Sequence, residues 1–396
     1  MAFAQNIAGT TGTKSYGLLW SLACGVAITL GAACGGDDSG DGAAQDSGDT
    51  NGATAGDDGD DGGPADGGPG GDATDTNPGT MDDASDATSD GDTTDGTDDT
   101  ADDTSDDTTG VDPDQDPLEG MGELEEVASG YIYTEGPLWS AQGGHLTFTD
   151  ITGDSIYRYT PGEGTVVFRG PTDPPTFPNG AAWDLDGSLL ITEHVPQRIT
   201  RGDDGQEVVV DNYMGSVLNA PNDLVVHSNG GIYFSDPALA TMPQFGGVTT
   251  ELGFQGVYRI APGGGLELLW DEFPIPNGVA LSPDESTLYV TDTSNAAAYA
   301  FALDGDGVPT GAPTQIYDGI PVADGMCVDV NGNLYFTSEI GIAVTQPDGT
   351  PWGVIQFPAR PANCTFGGDD LRTMYITVQD TVYSLELAVP GLPPTG

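Results

Sequence analysis

Six short openings in this 396-residue chain share one layout, an amide or carboxylate residue at the head of an apolar run. They are Glu135-Gly136-Pro137-Leu138-Trp139, Pro178-Asn179-Gly180, Pro221-Asn222-Asp223, Pro276-Asn277-Gly278, Ala323-Asp324-Gly325 and Ala362-Asn363-Cys364. The equivalent positions are thus Glu135, Asn179, Asn222, Asn277, Asp324 and Asn363, two carboxylates and four amides. All present hard oxygen atoms. Brought to one point, they can coordinate a hard divalent cation with room for water, or hydrogen-bond a polyhydroxylated ligand. Asn or Asp before Gly is also a turn signal by itself, so any single copy reads as a turn. The set as a whole carries charge at two positions where the others carry an amide. A carboxylate pair at a narrow channel mouth repels unless compensated, and a metal ion supplies that compensation.

Residues so far apart meet only if the chain folds as a ring. The openings start near 135, 178, 221, 276, 323 and 362, and the spacing runs from 39 to 55 residues. Each leads into short apolar strands separated by Gly, Pro, Asn and Asp turns: HLTFTD (145–150) and SIYRYT (155–160), GIYFSD (231–236) and GVYRIA (256–261), TLYVTD (287–292) and AAYAFA (297–302). No segment sustains a 3.6-residue apolar period, so almost no helix is expected. Four-strand units at this period match propeller blades, which bury their faces only by packing on one another around an axis. The fold class expected is all-β, a six-bladed β-propeller over about 123–390. The innermost strand of each blade lines the channel, so the six equivalent positions converge at one end. Leu124–Ile132 has no repeat of its own and is expected to add the outer strand of the last blade. A stack of sandwiches or a solenoid is the disfavoured alternative.

The motifs EGPLW, FTDI, FSDP, APNDLVV, IPNGVALSPD with LYVTDT, ADGMCVD, and CTFGG with MYIT occur in one order. Together they resemble the senescence-marker protein (regucalcin) and gluconolactonase family over nearly all of the folded chain. The resemblance implies one divalent cation in the channel, calcium or zinc according to the member, and hydrolysis of sugar lactones or other small esters. Residue by residue, it implies metal ligands at Glu135, Asn277 and Asp324, with Asp324 also the general base. Asn222 would hold substrate or reach the metal. His194, in ITEHVPQR, resembles a histidine near the channel of lactonase-like members; its bland reading is a structural histidine between blades. Asn179, Asn222 and His194 are the expected substrate-orienting residues. Calcium is the default cation because the ligands are oxygen-rich and include no His or Cys; zinc is the alternative. A phosphotriesterase-like hydrolase using the same cation, and a non-catalytic calcium-bound surface propeller that binds sugar or protein, are the competing functions. No GxSxG elbow is visible, which argues against an acyl-enzyme.

Two departures bear on the substrate. Bacterial lactonases carry a basic residue shortly before PND, whereas this chain has Gly215-Ser216-Val217-Leu218-Asn219. Arg198 and Arg201, one blade earlier, are the candidate substitutes. The loop Pro237–Gly253 lengthens the third repeat and is placed to shape a pocket or a lid at the channel mouth.

The rest of the chain addresses location. Between Gly35 and Gly120 there are 28 acidic residues, no Lys or Arg, and no aromatic residue. Such a segment cannot bury enough apolar surface to offset its ordering entropy, so a disordered acidic linker over 34–120 is expected before a propeller domain at 121–396. From Met121 onward, 35 acidic residues face seven Arg. That balance repels nucleic acid and suits neutral or cationic partners; a small molecule, a sugar lactone by resemblance, is the expected partner, and the chain is expected to be a monomer. Lys14 precedes an apolar stretch, Tyr16–Ala33, and Leu30-Gly31-Ala32-Ala33-Cys34 resembles a bacterial lipoprotein cleavage box. The expectation is removal of residues 1–33, lipidation of Cys34, and anchoring at the outer membrane or periplasmic face. Cys327 and Cys364 would then lie in a compartment that permits a disulfide, but the sequence leaves open whether they pair.

Overall fold

Each landmark opening leads into a four-stranded antiparallel sheet. The protein is seen here in a computed structural model that describes residues 111–393; the segment 1–33, Cys34 and most of the 34–120 linker lie outside them. Blade 1 spans 134–169, blade 2 178–210, blade 3 224–270, blade 4 276–318 and blade 5 326–355. Blade 6 takes three strands from 363–386 and its outermost from Glu125–Ser129. That last strand runs antiparallel to Thr381–Glu386, with Glu125 opposite Ser384 and Ser129 opposite Thr381. The segment without a repeat of its own therefore closes the ring, as expected. The innermost strand of every blade packs against that of the next, including Thr134–Ser140 against Asn363–Gly367. The fold is an all-β six-bladed propeller.

Burial within a blade follows from this packing. The second strands, such as Leu334–Ser338 and Ile232–Asp236, are buried at every residue because a neighbouring blade covers each face. They consequently read as apolar runs instead of alternating patterns. Phe148, Phe234 and Phe336 are fully buried there, and each contributes roughly 2–3 kcal/mol of apolar burial. The outermost strands are wetter, and Val166 and Val167 of blade 1 are exposed. One core cluster joins blades 5 and 6 through Tyr335, Ile342, Phe366, Met374 and Ile376, with Leu118 packed against it. At the same joint Cys327 and Cys364 form a disulfide, with Cα atoms 5.8 Å apart.

The third repeat owes its length to the loop between Ile232–Asp236 and Gly256–Ile260, which forms two short 3-10 turns, Ala238–Thr241 and Pro243–Phe245. The Gln197 side-chain amide reaches across from blade 2 and donates to the Thr249 carbonyl at 3.2 Å.

Candidate functional site

The channel-facing residues sit on breaks in strand register. Pairing between the first and second strands shifts between Glu135 and Leu138, between Pro178 and Ala181, and between Pro276 and Val279. In several blades the glycine that follows the ring residue bonds to the next blade. Gly180 N–H donates to the Asn222 carbonyl at 3.0 Å, Gly278 N–H to the Asp324 carbonyl at 3.2 Å, and Gly325 N–H to the Ala362 carbonyl at 2.8 Å. A threonine on the second strand repeats the link: Thr149 to the Asn179 carbonyl at 2.8 Å, Thr192 to Asn222 at 2.7 Å, Thr291 to Asp324 at 2.6 Å. Asn179, Asn222 and Asp324 are thus fixed by the blade before them.

This arrangement gives the glycines of the motif their reason. A Cβ at Gly180 or Gly278 would collide with the carbonyl oxygen of Asn222 or Asp324, and one at Gly325 would collide with the Asn363 side chain. None of these three has φ in the left-handed region. They are glycines of close approach, not of turns. The six equivalent residues Glu135, Asn179, Asn222, Asn277, Asp324 and Asn363 are all buried.

Their side chains fall into two groups. Glu135, Asn277, Asp324 and Asn363 form one electrostatic group: the charge of Asp324 disfavours ionised Glu135, whereas the Asn363 and Asn277 side chains favour the ionised forms of Glu135 and Asp324 respectively. Burial, then the charge of Asp324, pushes the Glu135 carboxyl well above the usual range. Burial also raises Asp324, against the pull of Arg360. Asn179 and His194 form the second group, with the Asn179 amide 3.0 Å from His194 Nε2. An amide N–H donating to Nε2 leaves the proton on Nδ1. Nδ1 is buried and has no hydrogen-bond partner among the described residues. Burial lowers the His194 pKa to about 4, so the ring is neutral. The Asn222 backbone is held by Ser235 and Thr192.

Three further residues belong to this site. Asp223 occupies the position that is glycine in four other blades. One carboxylate oxygen accepts Leu224 N–H at 3.0 Å and the other accepts Val279 N–H of the next blade at 3.2 Å. Burial lifts its pKa to about 7, and its charge is also felt by Glu135. Arg360, from the connection between blades 5 and 6, donates to Asp324 Oδ2 at 2.7 Å and to the Tyr133 hydroxyl. Phe245, from the long third-blade loop, packs edge-on against both Tyr133 and His194. Asp150 accepts the backbone N–H groups of Ile132 and Tyr133 and so places Tyr133 beside the ring. Arg198 and Arg201 are engaged elsewhere, Arg198 with Glu193 and Arg201 with Asp184 and Glu207. Beneath the ring a cavity of about 300 Å³ has Asp223 and Asn363 in its wall and is otherwise mainly aliphatic, with Leu138, Leu224, Val279 and Met326.

A channel ring of carboxylates and amides in a six-bladed propeller defines a class, and comparison with known proteins agrees with it. Residues 133–380 match the SMP-30/Gluconolactonase/LRE-like region. The chain is 32% identical over 294 residues to a gluconolactonase of Zymomonas mobilis, spanning 67% of this chain and 81% of that one. It superposes on a gluconolactonase from Xanthomonas campestris with a TM-score of 0.63 at 33% identity, covering 68% of this chain and 91% of the other. The calcium-binding protein regucalcin from Agrobacterium tumefaciens shares the fold, with a TM-score of 0.57 at 19% identity over 69% of this chain and 96% of that one. The chain belongs to the SMP-30/gluconolactonase/LRE-like family and has its hydrolase fold.

Proposed function

We propose that the chain is a divalent-cation-dependent lactonase that opens a sugar-derived lactone or similar small cyclic ester. The observation that carries this reading is the buried meeting of Glu135, Asn277 and Asp324 at one end of the channel. Two buried carboxylates, Glu135 raised further by the charge of Asp324, with amide side chains beside them, suit a hard cation better than an uncharged ligand. Among the described residues there is no cluster of three or more His, Cys, Asp or Glu side chains placed for a metal. Asparagine oxygens would therefore complete the set, and that chemistry favours calcium over zinc.

Glu135, Asn277 and Asp324 would hold the cation, with Asn222 adjacent. A bound cation supplies Lewis-acid polarisation of the lactone carbonyl. Asp324 accepts the proton of the attacking water, whose oxygen bonds to the carbonyl carbon. The ring C–O bond then breaks, and the released alkoxide takes a proton to give the open hydroxy acid. Asn222, Asn179 and the His194 Nδ1–H orient substrate hydroxyls. Phe245 and Tyr133 supply an apolar wall.

The deciding experiment is hydrolysis of a panel of sugar lactones, aryl esters and phosphotriesters by the purified chain, with and without chelator. Chelator-sensitive lactone turnover, lost in Asp324→Ala and Glu135→Ala, is expected. Tight ligand binding with no turnover on any of them would overturn the enzyme in favour of a binding propeller. We also infer export and anchoring through Cys34, on the strength of its cleavage box. Cys34→Ala should move the chain from the membrane to the soluble fraction, and equal solubility of both forms would refute the anchor.

A further inference from the structure

One cation is already built into the ring. Among the described residues, the other six arginines lie at blade flanks against partners of their own: Arg169 and Arg198 on Glu193, Arg201 on Asp184 and Glu207, Arg259 on Glu267. Arg158 lies over the Phe168 ring and near Asp203, and Arg372 near Asp370. Arg360 alone reaches the channel residues, and does so from the connection between the outermost strand of blade 5 and the innermost strand of blade 6. Its guanidinium is mostly buried, and its partners include Asp324 Oδ2 and the Tyr133 hydroxyl. Tyr133 is in turn held by Asp150 through its backbone N–H and by Phe245 against its ring.

We propose that Arg360 is an internal competitor for the divalent cation: by occupying Asp324 Oδ2 it sets the cation affinity of the site and ties that affinity to the loop carrying Phe245. This rests on the cation reading of Glu135, Asn277 and Asp324 given above. A guanidinium is permanently charged, so it repels a divalent cation a few ångströms away whatever the pH. It also occupies Asp324 Oδ2 at 2.7 Å, so a cation would have to share that oxygen with the guanidinium or use the other one unless Arg360 lets go. A guanidinium that lets go stays tethered at the mouth through Tyr133, next to the carbonyl of an incoming substrate. Arg360 would then serve the role that the missing basic residue before Pro221-Asn222-Asp223 leaves open. The loop enters because Phe245 packs on Tyr133, so movement at either end shifts the second anchor of the guanidinium.

The test is a calcium titration of the whole chain by calorimetry, together with thermal unfolding with and without calcium. Arg360→Met removes the charge while keeping an unbranched side chain, and should bind calcium at least ten-fold more tightly than wild type. Its unfolding midpoint should fall without calcium, because the Glu135–Asp324 repulsion is then uncompensated, and should rise more on adding calcium than that of wild type. Arg360→Lys keeps the charge and should bind within about three-fold of wild type. Phe245→Ala loosens the Tyr133 anchor and should shift the affinity in the direction of Arg360→Met, by less. If Arg360→Met does not fold without calcium, recovery of its folded signal in excess calcium supports competition, and failure to recover overturns it. Unchanged or weaker binding in a folded Arg360→Met also overturns it. Absence of binding in wild type and all variants would instead remove the cation reading itself, and this inference with it.

Discussion

The Thr291 hydroxyl donates to the Asp324 carbonyl oxygen at 2.6 Å, so the residue proposed as general base is located by the blade before its own. Gly278 N–H is the other donor to that oxygen. Thr291→Val keeps the shape and removes one of the two bonds in a buried setting. It should cost about 1–3 kcal/mol in denaturant unfolding. The displaced Asp324 should also lower kcat/KM for lactone hydrolysis more than KM alone accounts for. A variant with wild-type stability and rate would mean that the hydroxyl does not position Asp324.

Gly278 offers a steric version of the same test. A Cβ there would lie 2.6 Å from the Asp324 carbonyl oxygen and 2.9 Å from Gly325. Backbone on that side cannot yield cheaply, so Gly278→Ala should destabilise the chain by about 2–4 kcal/mol, in the range of overpacked buried sites. Gly265 has nothing within 4 Å of its would-be Cβ and lies outside the left-handed region. Gly265→Ala should therefore leave the unfolding midpoint within error of wild type. Equal midpoints for the two variants would show that the blades do not meet as tightly as the structure has them.

The ring was legible because it repeats. Once the openings are aligned, Glu135 and Asp324 stand out as carboxylates in a column of asparagines, and the closing strand stands out as the piece without a copy. What the column could not show was why glycine follows the ring residue. That requires the next blade, whose carbonyl fills the space a Cβ would take. Arg360 and Phe245 were illegible for the opposite reason: both lie in connections between strands, outside the repeated opening, so no equivalence marks them. Arg198 and Arg201 drew notice by nearness in sequence, yet Glu193, Asp184 and Glu207 hold them away from the ring. The disulfide needed a distance, since Cys327 and Cys364 belong to different blades.

That disulfide closes a loop with a sequence separation of 37 residues. By the chain-entropy account, such a cross-link stabilises by about 4 kcal/mol through the unfolded state, an upper value if the unfolded chain is already compact. The doubly substituted Cys327→Ser, Cys364→Ser chain should lose roughly 2–4 kcal/mol in denaturant unfolding. Reduction of the wild type should reproduce most of that loss. Because the two cysteines sit on the innermost strands of blades 5 and 6, the loosened joint is the one that flanks Asp324 and Asn363. Cation affinity should weaken in the same variant. Equal stability of oxidised and reduced chains would show that the joint holds without the bond.

His194 makes the stability of the chain sensitive to acid. Burial lowers its pKa from the ordinary 6.5 to about 4, so between these values the unfolded chain binds the proton and the folded chain does not. Stability from this residue is therefore fully present above pH 6.5 and is lost as pH falls toward 4, by an amount on the order of 3 kcal/mol. Buried acids act in the opposite sense. Asp223 and Asp236, each raised to about 7 by burial, make the folded chain the better proton binder between about 4 and 7. The wild-type profile therefore mixes opposing slopes, and the quantity to measure is the difference between wild type and His194→Gln across pH 4 to 7. Glutamine keeps an acceptor for the Asn179 amide and cannot be protonated in this range. The stability of His194→Gln relative to wild type should rise steadily as pH falls from 6.5 to 4, and should not change with pH above 7. A flat difference would place His194 in a wetter setting than the fold gives it, where Nδ1–H would already be satisfied by water and would have no call on a substrate hydroxyl.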